Sequence, residues 1–332
     1  MNRTIIFDTL NNDGGEIKAV LGANEFLKQN PNYKIILVGN EKTIQEHLLK
    51  DVVKQVEIVH QEQLVHKSSS LRDVIRNESS MLTAFDLLKE DKADAILSSG
   101  DSGSFVSLAA LKIPRLAGVS RPAFMPIIPT VTNNNILLLD AGANIDIKSE
   151  YLLEWANVAV EYAKVLQSNN KIRVGILNIG VEEYKGTETL KNSYALFNEN
   201  SSENFEFIGF VEPNDVINNK VDIVLSDGFN GNIFLKTMES TFLGIGHLLK
   251  QMIHSSCISK IGGFLLRKKL KKFKNRFDYR NIGGAYVIGL KKIVVKAHGG
   301  SDERAFLGAL NQVKNAIESS IIDKINIEGD YE

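Results

Sequence analysis

Residues 92–112 read KADAILSSGDSGSFVSLAALK. A short apolar run, Ala95–Leu97, meets polar residues around Gly100 and Gly103, and a second apolar run of helical rhythm follows. That order is the strand–loop–helix unit of an α/β sheet, with the strand buried on both faces. Ser98–Ser104 then either turns the chain and caps the helix, as Ser, Asp and Gly commonly do, or cradles an anion against the helix start. One unit leaves both readings open.

Similar units lie on either side. Short β-branched or apolar runs recur at Thr4–Phe7, Lys34–Val38, Val56–Val59, Ile136–Leu139, Arg173–Leu177, Phe205–Ile208, Ile223–Leu225 and Ile293–Val295. Several are continuous rather than alternating, as expected of strands in a mainly parallel sheet. Between them, Ile17–Gln29, Ser80–Lys89, Glu150–Leu166, Thr187–Phe197 and Asp302–Ile321 carry helical spacing. The alternation predicts a three-layer α/β/α fold, read as a single catalytic unit over residues 1–332.

The chain has 332 residues, 43% hydrophobic and 24% charged, with a formal net charge of -1. This is an ordinary globular composition and makes no overall electrostatic case for nucleic acid. Cys257 is the only cysteine, which excludes an internal disulfide framework and fits a reducing cytosol. The opening MNRTIIFDTLNNDGG turns polar too early for a signal peptide, and no uninterrupted apolar run is long enough to span a membrane. The expected location is the cytoplasm, and reversible association with the inner face of the cell membrane is an expectation that rests on the basic segment Lys260–Arg280.

Six strand ends close in small clusters of Gly with Asp, Asn or Ser: FDTLNNDGG, SSGDSG, DAGANID, NIGVEEYKG, SDGFNGN and KAHGGSD. In open α/β sheets ligands sit beyond the carboxyl ends of the strands, so the six loops are expected to line one cleft. None matches a nucleotide phosphate loop, a dinucleotide fingerprint or a serine hydrolase elbow. A smaller anion fits better. The candidate substrate- and phosphate-binding residues are Asp8, Asp13, Ser98, Gly100, Asp101, Ser102, Gly103 and Asn144 in the first three loops. Asn178, Asp227, Gly228, Asn230, Asn232, Lys236, Lys296 and Ser301 complete the set. Lys185 can offer a cation to a phosphate or an oxyanion, or stand in solvent; His298 can donate a hydrogen bond or exchange a proton near neutral pH, or be structural. The aspartates do not have a spacing that requires a metal, and no cofactor is expected.

Lys260–Arg280, KIGGFLLRKKLKKFKNRFDYR, holds nine Lys or Arg and one acid, Asp278. Leu266, Leu270, Phe273 and Phe277 form one helical stripe, while Phe264 and Leu265 sit at a tip and Arg267, Lys268, Lys271 and Lys272 are among the cations. A helical, basic, amphipathic element over about 240–282 is the expected membrane- or carrier-binding part, with packing on a partner chain the plainer alternative.

The ordered blocks LLLDAGANIDIKSEYL, RVGILNIGVEEYKGTE, DIVLSDGFNGNIFLKTMES and FDYRNIGGAYVIGLKKIVVKAHGGSD, with RPAF at Arg121–Phe124, together resemble the bacterial phosphate acyltransferase (PlsX) family. The resemblance covers nearly the whole chain. Two loops depart from the family pattern. The usual Asp-Ala-Met-Gly-Gly-Asp reads Asp8-Thr9-Leu10-Asn11-Asn12-Asp13, and Ser-Ala-Gly-Asn-Thr-Gly-Ala reads Ser98-Ser99-Gly100-Asp101-Ser102-Gly103-Ser104. A late Gly-Ser-Ser-Asp is Gly299-Gly300-Ser301-Asp302. The resemblance implies transfer of a long-chain acyl group from acyl carrier protein (ACP) to inorganic phosphate, giving an acyl phosphate for a downstream membrane glycerol-3-phosphate acyltransferase in phospholipid synthesis. It also implies a homodimer and a fold similar to phosphotransacetylase and isocitrate-dehydrogenase-like proteins. The competing readings are a phosphotransacetylase-like enzyme using short acyl-CoA and a nonenzymatic membrane-binding scaffold.

Overall fold

The computed structural model describes residues 3–65, 70–166, 171–200, 202–278 and 283–328. Its strands are β1 (Arg3–Asp8), β2 (Tyr33–Gly39), β3 (Val56–His60), β4 (Ala95–Ser98), β5 (Ala123–Pro129) and β6 (Asn135–Leu139). They continue with β7 (Ile172–Leu177), β8 (Phe205–Val211), β9 (Ile223–Leu225), β10 (Ala285–Ile288) and β11 (Ile293–Lys296). The helices are α1 (Glu16–Gln29), α2 (Glu41–His47), α3 (Leu71–Arg76), α4 (Ser80–Lys89), α5 (Ser102–Lys112) and α6 (Ser149–Leu166). After them come α7 (Glu188–Glu199), α8 (Pro213–Ile217), α9 (Gly228–His254), α10 (Cys257–Phe277), α11 (Glu303–Glu318) and α12 (Ile321–Glu328).

All eleven strands share one sheet in the order β3-β2-β1-β4-β11-β10-β5-β6-β9-β7-β8. The nine apolar runs of the sequence become β1–β4, β6–β9 and β11, all in parallel blocks. The two strands without such a run, β5 and β10, make the antiparallel pairs: β10 with β11, β10 with β5, and β5 with β6. Three successive antiparallel pairings reverse direction three times. The block β6-β9-β7-β8 therefore runs opposite to β3-β2-β1-β4-β11, and the carboxyl ends of the two blocks lie on opposite edges of the sheet.

Helices cover both faces, so the expected three layers are present. On one face α1 and α11 press Ala19, Ala23 and Phe26 into a cluster with Phe306, Ala309 and Val313. The Phe7 and Phe306 rings meet there at 5.1 Å, and α6 extends the layer with fully buried Trp155, whose indole N–H donates to Arg121 O at 2.8 Å. Burying one such aromatic side chain stabilises the fold by about 1.5–3 kcal/mol. On the other face α4 and α5 cover the first block, and Met238, Leu235 and Phe242 of α9 pack on Ile128, Ile136 and Leu138 of the second.

Beyond Phe242 the α9 helix leaves the sheet, and α10 returns beside it with none of its residues buried. The pair is a helical hairpin. Its foot is held by Phe242 stacked on Phe277, with ring centroids 3.8 Å apart and 14° between planes, and by Arg276. The Arg276 guanidinium donates to Thr130 O at 3.2 Å, to Asn135 Oδ1 at 2.8 Å and to Asn134 O. Of the expected element over 240–282 and the basic segment ending at Arg280, residues 279–282 lie outside the described residues.

Candidate functional site

Three loops of the first block meet at one edge. Asp8 ends β1 fully buried, and its carboxylate accepts Ser98 Oγ at 2.7 Å and Asn11 Nδ2 at 3.2 and 3.0 Å. Burial pushes the Asp8 pKa up, while Ser80, Ser98 and Asn11 oppose the rise by hydrogen bonding. Ser98 Oγ also accepts the N–H of Gly100 at 3.1 Å, and Asn11 donates onward to Ser80 Oγ at 2.8 Å. Asp8 and Ser98 thus sit beneath the loops as a brace.

The third loop follows β11. Asp13 N donates to Gly299 O at 2.9 Å, and Asn12 Nδ2 donates to Ser301 O at 3.0 Å. Ser301 Oγ closes on His298 O at 2.7 Å, and Gly300 N donates to His298 Nδ1 at 3.1 Å. That bond makes Nδ1 the acceptor and leaves Nε2 to carry the proton of the neutral ring. Partial desolvation, then the neighbouring Lys236, push the His298 pKa below the ordinary imidazole value.

Between these loops lies a cavity of about 630 Å³. Its polar wall holds Asp13, Gly100, Asp101, Ser102, Asn232, Lys236, Lys296 and His298. Lys296 is only 7% exposed, donates to Ala297 O at 2.5 Å, and has its pKa pulled down by burial to about 8. Lys236 pairs with Glu239 at 3.0 Å, also on the wall. The α5 helix begins here, so backbone N–H groups of its first turn, including Ser102 and Gly103, point toward the loop end. A Cβ on Gly100 would lie 2.1 Å from Met81 Cε and 2.9 Å from Asn11 Cβ, so only glycine lets the backbone come this close.

The two departures from the family pattern have a local account. Asp101 is the N-cap of α5: its Oδ2 accepts Ser104 N at 2.8 Å and Ser104 Oγ at 2.9 Å. Among the described residues the non-glycine positions with positive φ are Asp91, Asn133, Asn219 and Ser320, so Asn11 and Asn12 do not need the freedom of the glycines they replace. Instead their side chains tie the loop to its neighbours.

Of the six loops expected to line one cleft, five contribute residues to this cavity, and the loop after β7 does not. The loops after β6, β7 and β9 follow strands of the opposite direction, and many of their polar groups hold the chain itself. Asn144 spends its side-chain amide on Pro122 O at 2.9 Å and buried Asp140 at 2.9 Å. Asn178 donates to Lys185 O at 3.1 Å, and Lys185 Nζ pairs with Glu182 at 2.8 Å. That bond raises the Lys185 pKa and keeps it charged, but Lys185 does not line the cavity. Asp227 caps α9 through Asn230 N at 2.8 Å and also accepts Asn230 Nδ2 at 2.7 Å. Gly228 passes so close to Asn144 that a Cβ would lie 2.6 Å from its carbonyl oxygen. This block reaches the cavity at Ala141 and Gly142 after β6, and along α9 from Asn232 through Lys236 to Phe242.

The other wall was not read from the sequence. It is apolar, built from β5, α9 and the end of α10, with Phe124, Ile127, Ile128, Leu235, Phe242 and Phe277 among its residues. The Phe277 stripe was a signal; the prolines of β5 concealed the rest. Among the described residues no group of three or more His, Cys, Asp or Glu could hold a metal ion.

A polar wall carrying Lys236, Lys296 and His298 faces an apolar wall on a doubly covered sheet, an arrangement suited to the class of enzymes that transfer an acyl group. Solved structures agree on the fold. A phosphotransacetylase from Streptococcus pyogenes superposes with TM-score 0.61 at 16% identity over 97% of this chain and 94% of its own. A branched-chain phosphotransacylase from Enterococcus faecalis gives 0.58 at 13% over 95% and 99%. The chain belongs to the family described as fatty acid synthesis protein, whose model matches residues 4–324. It is 42% identical over 322 residues to a phosphate acyltransferase of Mycoplasma mobile, covering 97% of this chain and 98% of that one. A phosphate acyltransferase of Mycoplasmopsis pulmonis is 43% identical over 323 residues, at 97% and 98% coverage.

Proposed function

We propose that the chain transfers a long-chain acyl group from acyl carrier protein to inorganic phosphate, and that the cavity between the β1, β4 and β11 loops and α9 is where it does so. The observation that carries this reading is the placement of buried Lys296, with His298 and Lys236, on the polar wall of a cavity whose opposite wall is apolar. Phosphate sits between Lys296 and the first-turn N–H groups of α5. A phosphate oxygen attacks the thioester carbonyl, a C–O bond forms, and the C–S bond breaks. The proton of the phosphate passes to the leaving thiolate through solvent, and the Nε2–H of His298 donates a hydrogen bond that orients the phosphate. The acyl phosphate and a free thiol remain. A thiol has an ordinary pKa of about 8.5, so its departure needs little acid assistance. Positioning supplies much of the acceleration, since holding two reactants together is worth up to about 7–11 kcal/mol.

The helical hairpin is the proposed attachment to an anionic membrane and to acidic acyl carrier protein. Phe264 and Leu265 are exposed about two turns into α10, Leu265 at 76%, and Arg267, Lys268, Lys271 and Lys272 are exposed along it. Arg267 stands over the Phe264 ring at 4.3 Å. Among the described residues no helix is long and apolar enough to cross a membrane, so contact by this hairpin is peripheral. Exposed Leu243, Leu248 and Met252 on α9, with Ile258 and Ile261 on α10, are the surface proposed to pair two copies in a homodimer. An acyl phosphate is a reactive anhydride with a hydrophobic tail. A membrane acyltransferase acting on glycerol 3-phosphate is its natural consumer.

The experiment is to incubate the purified chain with palmitoyl-ACP and phosphate and to trap acyl phosphate as the hydroxamate. Formation that requires phosphate is expected. Its absence, or turnover confined to acetyl-CoA, overturns the reading.

A further inference from the structure

The anion loops account for only one wall of the cavity. Leu235, Met238 and Phe242 stand at i, i+3 and i+7 on α9, so they form one face, and that face lies over Ile128 of β5. The next apolar residues along α9, Leu243, Ile245 and Leu248, are exposed. Phe242 therefore marks the point where α9 leaves the sheet, and Phe277, the last residue of α10, closes that point from the other side. The two rings stack at 3.8 Å and both line the cavity. Neither phosphate binding nor proton transfer uses any of these side chains.

We infer that the wall formed by β5 and α9 is the subsite for a saturated acyl chain, and that the Phe242–Phe277 stack is its end stop and selects chain length. The inference rests on the transacylation proposed above. With the carbonyl held at Lys296, the apolar wall is the side along which a hydrocarbon chain gains by being buried. Each further methylene buried there raises affinity about fourfold, and the gain ends where the chain meets the stacked rings. A longer chain must then separate α9 from α10 at the foot of the hairpin. Leu235 lies on the same helical face about two turns before the stop, so a larger side chain there shortens the subsite from within.

Two variants test this. Leu235→Trp fills the chamber, and Phe242→Ala removes the stop. Each is assayed with octanoyl-, palmitoyl- and stearoyl-ACP at saturating phosphate, and each is titrated with palmitate and octanoate against a fluorescent anthroyloxy fatty acid. Leu235→Trp is expected to lower kcat/KM for palmitoyl-ACP at least about tenfold while octanoyl-ACP changes far less, with the phosphate KM unmoved. It is expected to weaken palmitate displacement in the same proportion. Phe242→Ala is expected to raise stearoyl relative to palmitoyl turnover. Should Phe242→Ala fail to fold, Leu235→Trp decides alone. If folded Leu235→Trp keeps the wild-type chain-length ratios in turnover and displacement, the subsite is wrong even if acyl phosphate forms. If the wild type makes no acyl phosphate but binds palmitate in a Leu235→Trp-sensitive way, the subsite stands and the reaction assignment falls.

Discussion

Burial lowers the Lys296 pKa to about 8, while Asp101, Asp8 and Asp13 pull in the other direction. The ammonium is therefore present below that value and lost as pH rises through it, and with it goes the cation proposed to hold phosphate. The phosphate KM is expected to climb above about pH 8 and to be insensitive to this group well below it. Lys296→Met should raise the phosphate KM roughly tenfold or more, the cost of a hydrogen bond to a charged group, and abolish the climb. A variant that keeps both the wild-type KM and its pH profile sinks the assignment. Asp101→Asn makes a sharper test. Asn caps a helix as well as Asp does, so α5 is preserved. Near pH 6, where Lys296 is protonated either way, removing a carboxylate from the wall should lower the phosphate KM; because Asp101 supports the charged lysine, the climb should also begin at lower pH. A large loss of activity at that pH would mean that phosphate uses the carboxylate. Gly100→Ala places a methyl against Asn11, which Asp8 and Ser80 hold in place. A loss of roughly 1–3 kcal/mol in stability, read from urea unfolding, is expected.

At the scale of the element, α10 divides into a foot and an arm. Phe273 and Phe277 lie at 5.2 Å with Phe277 stacked on α9, so the lower part of the sequence stripe is packing, whereas Leu266, Phe264 and Leu265 remain in solvent. One amphipathic pattern thus serves two environments. Basic side chains near an anionic surface contribute about 1 kcal/mol each, enough for salt-sensitive and reversible attachment. The double variants Phe264→Ser/Leu265→Ser and Lys268→Glu/Lys271→Glu should both lose binding to anionic vesicles and leave the fold unchanged by circular dichroism. Retention by both removes the membrane from the account. Loss of acyl-ACP turnover in solution by the charge variant alone gives the patch to the carrier instead.

At the scale of the whole molecule, exposed apolar residues on α9 and α10 are the surface proposed for a second copy. Sedimentation should give twice the chain mass, and Leu248→Glu/Ile261→Glu should halve it, because like charges would be buried face to face. A wild-type monomer at assay concentration ends the dimer proposal. The sequence by itself determined the layered class, nine of the strands and the loop residues around Asp8, Ser98, Asp101 and His298, because hydrophobic period and turn chemistry are local properties. It also carried the family through ordered motifs. It did not disclose β5, whose Pro126 and Pro129 read as breaks in a strand, or β10, a short run set between Gly284 and Gly289 that reads as turn. Those two strands reverse the second block, and the pairing that joins them, Phe124 with Val287, spans a long separation in sequence. Only the tertiary structure could decide that Lys185, Asn178 and Asn144 stand apart from Lys296, and that distant β5, α9 and α10 supply the apolar wall.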